Sequence, residues 1–332
     1  MNSNPDDSQL SAEQNTANPS NRPAKSWWLT VFRTIVALSV LIALFWTIKG
    51  SANQFNEQNF EFWKIDFFKI GLALASYVAA LFLSCVFWKT VLNCLNCHAP
   101  LGKTIFAFYA SQLGKYVPGK AMVVIIRTDM IRGKGTQTAP AAASVFVETL
   151  TWIFVGSVIA CVLIVVEFNR HSALKWTAIA LAVAAGVLTA PPIFRRIAAK
   201  LTKQPDTVFE KLNWRTLGIG WGLMSIGWCL NATSLYMIID SIPGTNICWA
   251  DYSLTLACVS LATVAGFASL LPGGLGVREL VMIPLLGPRF GVTTAVIAAV
   301  LIRLVWICAE LLTSGIIYGL LRWLGRNSTD KA

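Results

Sequence analysis

Long unbroken apolar runs, rather than alternation, dominate this chain. A helix crossing about 30 Å of hydrocarbon needs about 20 apolar residues. Seven stretches come up to that mark: 30–48, 70–88, 141–166, 176–194, 216–239, 252–271 and 290–321. In the first, Arg33 must snorkel to the interface. The third holds only Glu148, and the last holds only Arg303 and Glu310. Pro191-Pro192 is expected to end the fourth helix. The pattern predicts an all-α polytopic membrane bundle of about seven to eight transmembrane helices. Residues 1–26, rich in Asn, Ser, Pro, Gln and Asp, are expected to form a disordered tail, because they cannot bury enough apolar surface to offset ordering. The membrane domain is read as 27–324, with a short tail at 325–332. The apolar run starts too late for a signal peptide.

Two Gly/Pro breaks interrupt this apolar sequence. Residues 113–120 read Leu-Gly-Lys-Tyr-Val-Pro-Gly-Lys, and residues 271–279 read Leu-Pro-Gly-Gly-Leu-Gly-Val-Arg-Glu. Backbone broken at membrane depth must be buried in protein or line a wet cavity, since lipid cannot satisfy its polar groups. Paired interruptions in two halves of a chain point to a transporter-type binding site. Around the first break, 105–113 and 121–126 read as two half-helices; the alternative is an interfacial amphipathic helix with a polar loop. After the second break, 277–286 reads as a half-helix ending at Gly287-Pro288; the alternative is an ordinary loop.

Such breaks supply a particular chemistry. Gly119, Gly273, Gly274 and Gly276 permit close approach and unusual backbone conformations. Helices that start after Pro118 and Pro272 present unpaired N–H groups and a partial positive charge. Lys115, Lys120, Arg127 and Arg278 add full charges, and the set suits a phosphate-bearing headgroup. Charges inside the apolar runs cost at least ~2.5 kcal/mol each at a helix centre. Glu148, Arg303 and Glu310 should therefore face the interior and be paired. Arg303 and Glu310 share a helix face but stand two turns apart, so Arg303 with Glu148 is the expected pair. With Glu279 these residues are read either as a polar seam for a headgroup or proton, or as ion pairs that only fix packing.

Composition agrees with a membrane protein: 55% of residues are hydrophobic and 13% charged, against about 25% charged in soluble domains. The net charge of +11 does not indicate nucleic acid, because the basic residues lie between apolar runs rather than along one soluble face. They follow the positive-inside rule instead. Loops 89–140 and 195–215 are basic and read as cytoplasmic, as does the N-terminus in an inner (plasma) membrane. Seven crossings would then leave Arg322, Arg326 and Lys331 outside, against the same rule. Either one broken segment crosses fully or the last run splits in two. Whether the two breaks face the same side stays open at this stage.

Cys94-Leu95-Asn96-Cys97-His98 matches a haem-attachment pattern, but it sits on the predicted cytoplasmic side and is not read as one. No cofactor, metal site or disulfide framework is expected. Gly218, Gly220 and Gly222, and Gly315 with Gly319, give small-residue faces for helix packing within the chain or for a homo-oligomer. No P-loop, nucleophile elbow or metal-ligand set appears, so no enzyme activity is expected.

The motif at 113–120 with Arg127 downstream, Glu148 in the following helix, and Pro-Gly-Gly-Leu-Gly-Val-Arg-Glu at 272–279 resemble the flippase-like integral membrane family named for the transmembrane region of lysylphosphatidylglycerol synthase. The resemblance covers roughly residues 28–323. It implies a membrane protein that binds and translocates a phospholipid or other anionic or polyprenyl lipid. Family members often carry Arg directly after the Glu148 equivalent, where this chain has Thr149. Only a few residues follow Trp323, so the aminoacyl-transferase domain of the full synthase is not expected. Membrane lipids with anionic headgroups are the expected partners, with a lipid-modifying enzyme as a further one. A membrane-embedded transferase, or a non-catalytic partner of a lipid synthase, is the alternative.

Overall fold

The structure, a computed structural model, describes residues 64–116, 121–133, 137–167, 172–202, 205–269, 271–274 and 276–329. The predicted tail 1–26, the first predicted span, Gly119, Lys120 and the final three residues lie outside that set. The described residues form ten α-helices and no strand. In chain order they are α1 (Phe67–Cys94), α2 (Leu101–Gln112), α3 (Ala121–Ile131), α4 (Thr138–Glu167), α5 (Ser172–Thr189), α6 (Pro191–Thr202), α7 (Trp214–Asp240), α8 (Tyr252–Ala268), α9 (Val277–Phe290) and α10 (Val292–Thr329).

Five of these helices are long and apolar enough to cross a membrane: α1, α4, α7, α8 with the turn before it, and α10. Their outward faces stay apolar, as with Phe82 on α1, Val158 on α4, Ile226 on α7 and Ile316 on α10. In water such faces would mark an interface, but in lipid they need no partner. The helices begin where the sequence supplies caps. The Asp66 carboxylate accepts from the Phe68 and Lys69 N–H groups, and the Asn213 side chain accepts from Thr216 N–H. As expected, α5 ends just before Pro191-Pro192, and Pro191 opens the amphipathic α6.

The core is stitched by aromatic side chains set on small residues. Phe87 and Trp88 of α1 are fully buried, with Phe87 lying on Gly220 of α7. Trp228 of α7 lies on Gly156 of α4 and stacks on Trp152 at 4.4 Å. A Cβ added at Gly218, Gly222, Gly315 or Gly319 would meet no atom within 4 Å, so of the predicted small-residue faces only Gly220 is used in packing within the described chain.

The helix ends gather at two poles. At one, Lys211 reaches Asn96 at 3.1 Å and Cys94 lies 3.6 Å from Thr216. Leu321 of α10 packs near Gly102 of α2 at the same pole. This is the basic end. At the other pole, Asp66 N–H donates to Ser241 O at 3.1 Å and Lys69 pairs with Asp240 at 2.9 Å. There too, Arg289 at the end of α9 bonds Asp251 at the start of α8, at 2.7 and 3.0 Å.

That last contact corrects the predicted topology. The apolar run 252–271 predicts a full crossing. Instead α8 runs inward, breaks at residues 269–276 and returns as α9 to the pole it left. The last run stays one helix, and α10 carries Arg322 back to the basic end. The charge conflict disappears because one predicted crossing is a hairpin. The end of α9 also differs from expectation: it passes Pro288 and stops at Gly291. Pro288 removes only its own donor, and the Gly291 N–H still reaches Gly287 O at 2.8 Å.

Candidate functional site

Two hairpins meet inside the bundle. The first, α2 and α3 joined through a tight 3-10 turn at Leu113–Tyr116, enters from the basic end. The second, α8 and α9, enters from the opposite pole. The two breaks therefore face opposite ends and touch at their tips, where a Cβ on Gly273 would lie 3.0 Å from the Tyr116 ring. Gly273, Gly274 and Gly276 all take positive φ, at 59°, 69° and 80°. At Gly274 glycine is required twice over. The φ is one that side chains rarely adopt, and a Cβ would sit 2.9 Å from Gly266 Cα of α8.

Between the tips lies a cavity of about 480 Å³, within the range that takes a small ligand (about 300–1,000 Å³). Its polar lining includes Gln112, Lys115, Arg127, Glu148, Asn231 and Arg278, in an otherwise largely apolar wall. On one side, Val123 and Val124 of α3 and the exposed Phe146 of α4 form the wall.

Three ion pairs surround this cavity. Arg127 Nη1 lies 2.7 Å from Glu148 Oε2, with both side chains buried. Its Nε donates to Ser111 Oγ at 2.8 Å, and its guanidinium lies over the Phe108 and Trp88 rings at 4.2 and 5.0 Å. The second pair is Arg303 with Glu279, at 2.6 Å. The same Nη2 donates to Gly274 O at 3.0 Å, tying α10 to the second tip. In the third, Lys115 Nζ pairs with Glu310, which also accepts from the Tyr77 hydroxyl; Glu310 is fully buried.

Arg278 stands apart. It has no carboxylate partner among the described residues, and its buried Nε has no hydrogen-bond partner. Its guanidinium lies 5.5 Å from the centre of the Trp306 ring. It occupies the first turn of α9, whose N-terminus has no side-chain cap and opens at the tip. The unpaired N–H groups there add partial positive charge. Among the described residues, Lys115, Arg127, Arg278 and Arg303 face Glu148, Glu279 and Glu310, which leaves one excess cation at the site.

The structure thus brings Lys115, Arg127, Glu148, Gly273, Gly274 and Arg278 to one cavity, with Glu279, Arg303 and Glu310 directly behind. Gly276 is exposed at the N-terminus of α9. The expected pair of Arg303 with Glu148 is corrected. Arg303 is taken by Glu279, which the second tip places beside α10, and Glu148 is taken by Arg127 from the first hairpin. Thr149 is 3.5 Å from Glu148, and the cation beside that carboxylate comes from α3. Sequence reasoning missed Gly266, whose lack of a side chain admits Arg278 and Gly274. It also missed Tyr77 and Asn231, the latter buried with an unmet Oδ1. A tyrosine or asparagine inside an apolar run was the available signal.

Cys97, from the haem-like pattern, is buried, and burial pushes its thiol up to about 11.

A comparison with curated proteins finds no match. The sequence profile described as Lysylphosphatidylglycerol synthase TM region matches residues 26–309, which includes both hairpins and all three basic partners of the ion pairs. With its membrane-spanning helices and that match over most of its length, the chain is an integral membrane protein belonging to the Lysylphosphatidylglycerol synthase TM region family.

Proposed function

We propose that this protein binds the anionic headgroup of a phospholipid or polyprenyl lipid in the cavity between the hairpin tips and carries it from one leaflet to the other. The observation that carries this reading is Arg278, a cation with no counter-charge among the described residues, at a helix N-terminus on a largely apolar cavity. A phosphate there would receive charge-assisted hydrogen bonds in a low-dielectric setting. Opposed hairpins of broken helices support a carrier, since each tip closes the path from one end. In this reading the membrane is the inner (plasma) membrane, and the positive-inside rule supports a cytoplasmic basic end. In this reading the protein is a carrier and does no chemistry on the lipid.

The test is reconstitution into liposomes with a panel of headgroup-labelled lipids and a membrane-impermeant quencher. Label initially protected in the inner leaflet should become quenchable for at least one anionic lipid, and Arg278→Gln should abolish this. Protection that persists for every lipid tested would refute translocation.

A further inference from the structure

Glu310 differs from the other two carboxylates at the site. Glu148 is held by an arginine that cannot give up its proton and is itself fixed by Ser111 and two aromatic rings. Glu279 is partly exposed, at 24%. Glu310 is completely buried, and its Oε2 has no partner among the described residues. Among the described residues its only ion-pair partner is Lys115.

Lys115 is the more accessible member of that pair. It stands in the 3-10 turn at the first tip, lines the cavity, and is 21% exposed. A lysine is a compact charge on a flexible stem. An anion drawn to Arg278 would enter the same cavity and compete for that ammonium. The groups reaching Glu310 are Tyr77 from α1 and Lys115 and Tyr116 from the first tip; around those three stand Arg278 from α9 and, beside Tyr116, Arg303 from α10. Arg303 is taken by Glu279, and Arg278 would be taken by the anion.

We infer that Glu310 is a proton-binding site coupled to the cavity: when an anionic headgroup draws Lys115 away, Glu310 takes up one proton. The inference rests on the headgroup reading above. The balance is simple. Lys115 stays an ammonium and moves from carboxylate to phosphate. The Glu310 carboxylate plus one proton from solvent becomes a neutral carboxylic acid. The drive is the cost of leaving a buried charge unpaired, which a carboxylate avoids by protonation. Headgroup binding and proton binding would then favour each other reciprocally.

The experiment uses the purified full chain in detergent, titrated with a short-chain phosphatidylglycerol. Calorimetry in two buffers of different ionisation enthalpy reads the protons exchanged. About one proton should be taken up per lipid bound. Glu310→Gln should bind the lipid at least as tightly with that uptake lost. Lys115→Gln removes one phosphate partner and leaves Glu310 stranded and protonated beforehand, so the weaker binding that remains should carry no uptake. Lipid binding without proton uptake in the native protein overturns the inference while leaving the headgroup site standing, even if a variant fails to fold. Uptake undiminished in either variant also overturns it. Absence of lipid binding in the native protein would overturn the headgroup reading itself, and this inference with it.

Discussion

A side chain added at Gly273 would begin 3.0 Å from the ring of Tyr116. These two residues belong to hairpins that enter from opposite ends of the bundle, so their contact is where the two tips meet in its interior. The contact requires both glycine and a flat aromatic ring, and the cavity with its ion pairs is assembled around it.

Gly274→Val should abolish lipid transport while the protein still inserts. Positive φ costs a side chain roughly 1–2 kcal/mol, and here the new atom also meets the α8 backbone. Normal transport by this variant in the liposome assay would remove the second tip from the path.

Arg303 and Glu279 should behave as a coupled pair in a double-mutant cycle read by thermal stability. Removing one member of a buried pair costs about 3–5 kcal/mol by leaving the other unpaired. The double alanine variant should therefore be less damaged than the sum by about 0.5–3 kcal/mol. Arg127 and Glu148 should show the same coupling, whereas Arg303 with Glu148 should be additive. Strong coupling of Arg303 to Glu148 would contradict the observed pairing.

Arg278→Gln should weaken anionic-lipid binding at low and high salt alike, because a site in the cavity is little screened. Arg322→Gln is the comparison, an exposed charge at the basic end. Surface attraction of that kind is worth about 1 kcal/mol per residue and fades with salt. Equal, salt-erased losses for both variants would reduce Arg278 to a general surface charge.

Single cysteines at positions 103, 289 and 322, in a background lacking the native thiols, should separate by side. An impermeant thiol reagent applied to sealed vesicles should treat 103 and 322 alike and 289 oppositely. Labelling of 289 together with 103 would mean that α8 and α9 do not form a returning hairpin.

The clasp of that hairpin should be acid-sensitive. Burial works to raise the Asp251 carboxyl, but hydrogen bonds from Arg289 and the Cys248 backbone outweigh it and hold the carboxyl below its ordinary value. A group held down in the fold stabilises above its ordinary value, about 3.9, and loses that contribution as pH falls below it. The melting temperature should thus fall more steeply below about pH 4 in the native protein than in Asp251→Asn. Parallel curves would mean that the clasp contributes nothing.

The predicted spans 70–88, 141–166, 216–239 and 290–321 and both breaks were legible because length, apolarity and Gly/Pro placement are local properties. Half-helices 105–113 and 121–126 correspond to α2 and α3. The pairing was not legible, because it is set by which elements adjoin. Lys115 and Glu310 are 195 residues apart in sequence. The returning hairpin was hidden for a different reason: α8 is as apolar as a true crossing, and the contacts of Arg289 with Asp251 and the Asn246 carbonyl show its partner coming back. Arg278 was picked out by its motif, but its lack of a counter-ion becomes visible only once every nearby carboxylate has been assigned.

The size of the cavity restricts what can enter it. A volume of about 480 Å³ takes a headgroup, whereas two extended acyl chains each span about half of a 30 Å hydrocarbon layer. The chains must trail outside, and the wall formed by Val123, Val124 and Phe146 is the apolar side along which they would pass. Substrate choice should then follow the headgroup and be indifferent to tail length, so lipids sharing one headgroup should move at similar rates whether their tails are short or long.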